Sequence, residues 1–136
     1  MSILEQKSFI SSIHPFNNLT PNQLDDFVDS MDIVYFKKDE LIQPQSSEPK
    51  FLYFVLKGLV QEKQENEVLS IYTKKEMFDT RSLIENYSKN SFVTSEETIC
   101  YVLPREIFIK ILHENAELEN YFFQSISDKL KNNISY

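Results

Sequence analysis

The chain has 136 residues, 41% of them hydrophobic and 26% charged, which suits one globular domain over 1–136 with a core of its own. A formal net charge of -7, with no local run of Lys and Arg, repels phosphodiester backbones and argues against direct nucleic-acid binding. One cysteine (Cys100), no apolar run long enough to span a bilayer and no basic-then-apolar N-terminus predict a cytoplasmic protein with no disulfide and no membrane contact.

Residues 4–13 carry a weak helical pattern and are expected to form a short first helix. The stretch Leu19-Thr20-Pro21-Asn22-Gln23-Leu24 is a much stronger start signal. Thr20 can cap exposed amides, and Pro21 suits the first helical position, where its missing N–H is no loss. Gln23 can reach back to the Thr20 amide while Leu19 packs on Leu24, giving a capping box with its hydrophobic staple. Leu24, Phe27, Val28 and Met31 recur at helical spacing and leave Asp25, Asp26 and Asp29 to solvent, so a helix over 21–31 buries that stripe as core.

From residue 32 the pattern changes to short β-branched and aromatic runs separated by polar turns, the mark of an antiparallel β unit. The expected strands are 33–36, 40–42, 51–56, 59–62, 68–72, 91–94 and 99–103, and a set of this kind argues for a sandwich or roll over 32–103. Lys57-Gly58 is a tight connection in which the only glycine can take a positive φ, and 64–67 is a polar hairpin loop. Pro104 ends the last strand and opens C-terminal helices over 104–134. Ile107, Phe108, Ile111 and Leu112 form one apolar stripe, and Asn115 is placed to cap the next helix. In that helix Leu118, Phe122, Ile126, Leu130 and Ile134 recur every four residues, widened by Tyr121 and Phe123. Such a stripe serves either packing on the roll or contact with a second copy or a neighbouring domain.

The decapeptide Phe51-Leu52-Tyr53-Phe54-Val55-Leu56-Lys57-Gly58-Leu59-Val60 resembles the glycine-centred strand pair of the cyclic-nucleotide-binding-domain superfamily, over roughly residues 16–132. The resemblance implies a mainly β fold with flanking helices, a double-stranded β-helix or jelly-roll-like β-roll. Segments 78–83 and 97–104, a helix like 108–115 and the pair Phe122-Phe123 are similar to the N-terminal sensor domain of bacterial signal-transduction proteins that also carry CBS and nucleotidyltransferase-like domains. Partners of that kind, or a second copy, would engage the C-terminal helices. A transcription regulator of the catabolite-activator type would add a helix-turn-helix after residue 136.

In nucleotide-binding members the loop after a Phe-Gly-Glu start wraps the cyclic phosphate with helix-end amides, the Glu binds the ribose and a later Arg pairs with the phosphate. Here Phe78 matches, but Asp79 stands at the Gly position and Thr80 at the Glu position. The Arg position aligns with Lys89, or one residue earlier with Ser88, so a point charge replaces a bidentate fork. Arg81 has two roles open to it, contact with a ligand or an ion pair with Asp79 or Glu85. Thr80 and Ser82 can bond a ligand or cap a short helix through Leu83 and Ile84. The resemblance thus implies a ligand loop of Phe78, Asp79, Thr80, Arg81, Ser82, Leu83, Lys89 and Ser91, altered in a way that disfavours cyclic AMP and cyclic GMP. By the resemblance, family glycines are replaced by Asp39, Gln45 and Lys75 at positions that commonly need left-handed backbone, so these turns either change type or store strain.

His14 and His113 lack metal-ligand partners at helical or strand spacing, Cys100 alternates into an apolar strand, and no spacing selects an acid/base pair among the acidic residues. No enzyme, metal site or cofactor is predicted. The expected function is a regulatory sensor in signal transduction whose ligand, where it has one, is a cyclic nucleotide or another small phosphorylated compound. The alternative is a ligand-free interaction or dimerisation domain of a larger signalling protein.

Overall fold

A computed structural model describes residues 2–124, apart from the side chains of Arg81 and Ser82. These residues form two compact units, one built from 2–29 and 107–124 and the other from 30–106.

In the first unit, α1 (Ile3–Ser11) is capped by Ser2, whose hydroxyl accepts from the Glu5 amide. A 3-10 turn over Phe16–Asn18 leads to α2 (Pro21–Asp29). The capping box at the start of α2 forms as its residue types require: the Gln23 amide donates to Thr20 Oγ1 at 3.2 Å, and the Thr20 amide donates to Gln23 Oε1 at 3.1 Å. α2 ends at Asp29, so Met31 is buried from the strand side of the break. Residues 107–114 of α4 (Arg105–Glu114) and the helical residues 116–124 complete the unit. Asn115 caps the second segment by accepting from the Glu117 and Leu118 amides. Its amide group donates to Asn18 O and Gln23 Oε1, and Gln23 Nε2 donates to Glu114 O. Phe16, Phe27, Phe108 and Phe122 interlock as the core. Leu118 and Phe122 are buried while Tyr121 and Phe123 are exposed; Ile126, Leu130 and Ile134 lie outside the described residues.

In the second unit the strands are β1 (Asp32–Phe36), β2 (Leu41–Gln43), β3 (Phe51–Lys57), β4 (Val60–Gln64), β5 (Glu67–Tyr72), β6 (Met77–Phe78), β7 (Ser91–Thr94) and β8 (Thr98–Pro104), with α3 (Thr80–Glu85) between β6 and β7. They build two four-stranded antiparallel sheets, β1-β8-β3-β6 and β2-β7-β4-β5. This is the mainly β roll that the strand pattern predicts. β4 runs two residues past its expected end because Lys63 and Gln64 pair with Val68 and Glu67.

Gly58 does not close a hairpin between paired strands. It makes the corner at which the chain leaves one sheet (β3) for the other (β4). Its φ of +105° is a conformation L-residues rarely adopt, and a Cβ there would collide with the Glu97 carbonyl oxygen and the Thr98 backbone and hydroxyl. Thr98 closes the corner by accepting from the Leu59 amide.

Elsewhere the chain bends without glycine: Asp39, Ser46, Glu65, Lys75, Asp79 and Asn86 all have positive φ. Asp39 and Lys75 were expected there, but at the third position the strain falls on Ser46 rather than Gln45. Ser46 is where the β2–β3 loop turns to offer its amide to Ser88 O at 2.8 Å.

Between the sheets Phe36, Tyr53, Val55, Val60, Phe78, Phe92, Cys100 and Val102 pack into one buried cluster. The corner and the loop turn give opposite expectations. Gly58→Ala should cost about 2–4 kcal/mol in urea unfolding, through backbone strain and the clash together. Ser46→Gly should gain about 0.5–1 kcal/mol by relieving a left-handed L-residue, net of the extra unfolded-state freedom of glycine.

Candidate functional site

β6 is only two residues long, yet its second residue fixes the loop that follows. Phe78 pairs with Tyr53 across the sheet, and its ring stacks on Tyr53 at 5.0 Å and on Phe92 of the opposite sheet at 4.9 Å. Phe78 is 1% exposed, so it anchors the loop in the core. Asp79 then takes φ +60°, a turn that points the chain into α3, and its carbonyl accepts from the Leu83 amide. Leu83 is fully buried, and Asn86, again at φ +60°, follows the end of α3. The return to β7 is held by a backbone bridge in which the Ser88 amide donates to Ser47 O at 2.7 Å.

The polar side chains of this region form a chain of hydrogen bonds. Ser88 Oγ donates to Asp79 Oδ2 at 2.8 Å and contacts Asn90 O at 2.9 Å. Asn90 Nδ2 donates to Glu62 Oε2 at 2.6 Å, and Tyr72 donates its hydroxyl to Glu62 Oε1 at 2.7 Å. β-sheet register explains the meeting: Glu62 lies opposite Phe92 on β7 and opposite Ser70 on β5, which brings Tyr72, two residues on, within diagonal reach. Burial first, then the hydrogen bond to Glu62 and its charge, push the Tyr72 phenol well above its ordinary pKa, with a further contribution from Asp79. Asn90 Oδ1 is buried and finds no hydrogen-bond partner among the described residues. Among the described side chains the region thus gathers two carboxylates and a buried amide oxygen, an acceptor-rich set that attracts donors and disfavours a neighbouring anion.

Of the residues expected in the ligand loop, Phe78 and Leu83 are core, and Asp79 belongs to the polar chain. Thr80 is half-buried in the first turn of α3. Lys89 is exposed, and Ser91 Oγ reaches back to Lys63 O at 3.3 Å across the β4–β7 ladder. Arg81 and Ser82 belong to α3, and their side chains lie outside the described ones. Glu62, Tyr72 and Asn90 join the site without any local sequence signal, because strand pairing alone unites them. A further tie was also silent: Arg105 Nε donates to the Leu83 carbonyl and its amide to Lys50 O, joining α3 and the end of the β2–β3 loop to the first residue of α4. A cleft of about 330 Å³ opens beside Tyr53, lined by β2, the β2–β3 loop and Phe51, and by none of the expected loop residues.

Burial pushes the Cys100 thiol up to about 12, so the thiolate nucleophile is suppressed, and no group of His, Cys, Asp and Glu that could hold a metal ion occurs among the described residues. No helix among them is long and apolar enough to cross a membrane.

The cyclic nucleotide-binding domain family model matches residues 33–115, more than half of the chain. The chain belongs to the cyclic nucleotide-binding domain family. It is 25% identical over 125 residues to cGMP-dependent protein kinase 2 of Mus musculus, and 22% identical over 123 residues to the cGMP-dependent protein kinase of Eimeria tenella. Those matches cover 86% and 90% of this chain but only 16% and 12% of the relatives. Among solved structures, the sensor domain of the transcriptional regulator DNR from Pseudomonas aeruginosa superposes with a TM-score of 0.81 at 17% identity, covering 91% of this chain and 92% of that one. The cAMP-bound PfPKA-R superposes with a TM-score of 0.79 at 15% identity, covering 95% of this chain and 46% of that one. At these identities the structural matches establish the fold of a cyclic nucleotide-binding domain.

The buried Tyr53 and Cys100 contribute to the domain's stability against alkali. Burial, then the neighbouring Cys100, raises the Tyr53 phenol from 10.0 to about 12, and burial raises Cys100 from 9.0 to about 12. Both groups favour their neutral forms in the folded state, so their stabilisation is complete below pH 9 and is lost as pH rises from 9 towards 12. Urea unfolding as a function of pH should show that decline, and Tyr53→Phe should make it shallower above pH 10.

Proposed function

We propose that this domain is a non-catalytic regulatory sensor whose ligand loop is held by its own carboxylate, so that it does not take cyclic AMP or cyclic GMP in the manner of nucleotide-binding family members. The observation that carries the reading is the Ser88 Oγ to Asp79 Oδ2 hydrogen bond, made by a residue standing at the family's glycine position. Asp79 adds a negative side chain where a phosphate would need backbone amides and no local anion. Thr80 in place of Glu removes the ribose acceptor, and exposed Lys89 in place of Arg removes the bidentate phosphate contact.

Signalling in this reading passes from the loop through α3 to Arg105, whose bond to the Leu83 carbonyl couples any movement of α3 to the start of α4. The proposed setting is a larger cytoplasmic, bacterial signalling protein of the kind that carries CBS and nucleotidyltransferase-like domains, supported by the sequence resemblance of 78–83 and 97–104. Exposed Tyr121 and Phe123 on the C-terminal helix supply a contact for a second copy or a neighbouring domain. A second reading, a ligand-free interaction domain, is favoured by the same self-closed loop, which needs no ligand to be ordered.

Calorimetric titration with cyclic AMP, cyclic GMP and AMP separates these from ordinary nucleotide binding. The expected outcome is no saturable heat with cyclic AMP or cyclic GMP for the natural sequence. A measurable affinity should appear in the triple variant Asp79→Gly, Thr80→Glu, Lys89→Arg, which restores the family's residues. Saturable binding of either cyclic nucleotide to the natural sequence would overturn the proposal. Binding of AMP alone would retain the sensor and eliminate the ligand-free reading.

A further inference from the structure

The cleft beside Tyr53 is lined by the sheet unit alone and holds about 330 Å³, at the lower end of small-molecule sites, which run to about 1,000 Å³. Ile42, Pro44, Phe51 and Tyr53 give it apolar walls. The Phe51 and Tyr53 rings meet edge to face at 6.2 Å, an arrangement on which a further flat ring packs well. Two polar side chains line the same cleft although each is almost wholly buried: Gln43 is 6% exposed and Tyr53 8%. Burial on that scale costs free energy that hydrogen bonds ordinarily offset.

For Gln43 that offset is only half made. Ser47 Oγ gives its single proton to Pro44 O at 2.6 Å, so it can only accept from Gln43, and the amide nitrogen is the atom that faces it. The Gln43 carbonyl oxygen is left without a hydrogen-bond partner among the described residues, and so is the Tyr53 hydroxyl. Asn90 Oδ1 is the buried side-chain polar atom that lacks a partner there, so the two cleft oxygens, equally without one, keep open surface. Two acceptors lining one aromatic-walled space call for an N–H donor on a flat molecule. Glu48 and Lys50 at the rim are exposed, carry opposite charges and pair with no described residue, so no net field there selects an ion. We infer that the cleft is a binding site for a small uncharged heteroaromatic molecule whose ring N–H donates to the Gln43 carbonyl, with the Tyr53 hydroxyl as a second polar contact. The site adjoins the ligand loop, since Tyr53 stacks on Phe78 and Ser47 O accepts from the Ser88 amide. It does not depend on what that loop takes: a cyclic nucleotide that bound the loop would defeat the proposed function and leave this site standing.

The probe is indole, with benzofuran as the isostere that carries an oxygen in place of the N–H. The chain has no tryptophan, so indole fluorescence reads binding without an indole background from the protein, and backbone amide NMR places the site. Indole should shift the amides of Gln43, Ser47, Phe51 and Tyr53 saturably. Benzofuran should bind about tenfold more weakly, because it leaves the Gln43 carbonyl facing another acceptor. Gln43→Leu should abolish that preference, and Ser47→Ala, which frees the amide to turn, should reduce it. A general loosening of the cleft would weaken both compounds alike and leave their ratio unchanged. Circular dichroism checks that each variant is folded, and Ser47→Ala decides should Gln43→Leu not fold. No saturable shift with indole, equal binding of the two compounds, shifts confined to amides away from the cleft, or a preference untouched in the folded variants would overturn the inference.

Discussion

The seating of Phe78 between Tyr53 and Phe92 is the contact on which the ligand end of this domain depends. Tyr53 and Phe78 belong to one sheet and Phe92 to the other, so a single ring ties the two layers together. Full burial of a phenylalanine is worth roughly 1.5–3 kcal/mol, and each aromatic pair adds about 0.5–1.5 kcal/mol. The next residue, Asp79, is therefore not at liberty to drift. Its left-handed backbone and its carboxylate are both imposed by an anchor one residue upstream.

That anchoring gives the departure from the family motif its chemical meaning. A loop built to receive a phosphate offers amides and keeps side-chain charge away, whereas this loop brings a carboxylate and satisfies it with Ser88. Glu62, Tyr72 and Asn90 extend the same acceptor-rich character into the neighbouring sheet. Arg105 ties α3 to the start of α4 through the Leu83 carbonyl, the contact that the proposed signalling uses. In the proposed reading, a family scaffold with altered recognition chemistry takes an input different from that of the nucleotide-binding members.

Local signals were legible in the sequence wherever one residue type answers one backbone requirement. Thr20 with Gln23, Asn115 and Gly58 each occupy the cap or corner that their chemistry suits, and the alternating apolar runs gave the strands and hence the roll. What escaped depends on pairing between distant segments. β6 was hidden because two apolar residues inside a loop carry no period of their own, and it exists only because β3 offers a free edge there. Gly58 was legible as a turn but not as a passage between sheets, since the sequence does not say which strands pair. The Glu62–Tyr72–Asn90 group came together through register across two ladders, which no spacing along the chain encodes. The left-handed turn at Ser46 rather than Gln45 reflects the bridge to Ser88, again a contact made far along the chain.

Backbone amide NMR of the natural sequence during a cyclic AMP titration tests the self-held loop most directly. The account predicts that the amides of Asp79, Thr80, Arg81, Ser82 and Leu83 keep their chemical shifts at saturating nucleotide. Progressive, saturable displacement of those resonances would contradict it, because it would mean that the loop gives up its own carboxylate to embrace a phosphate.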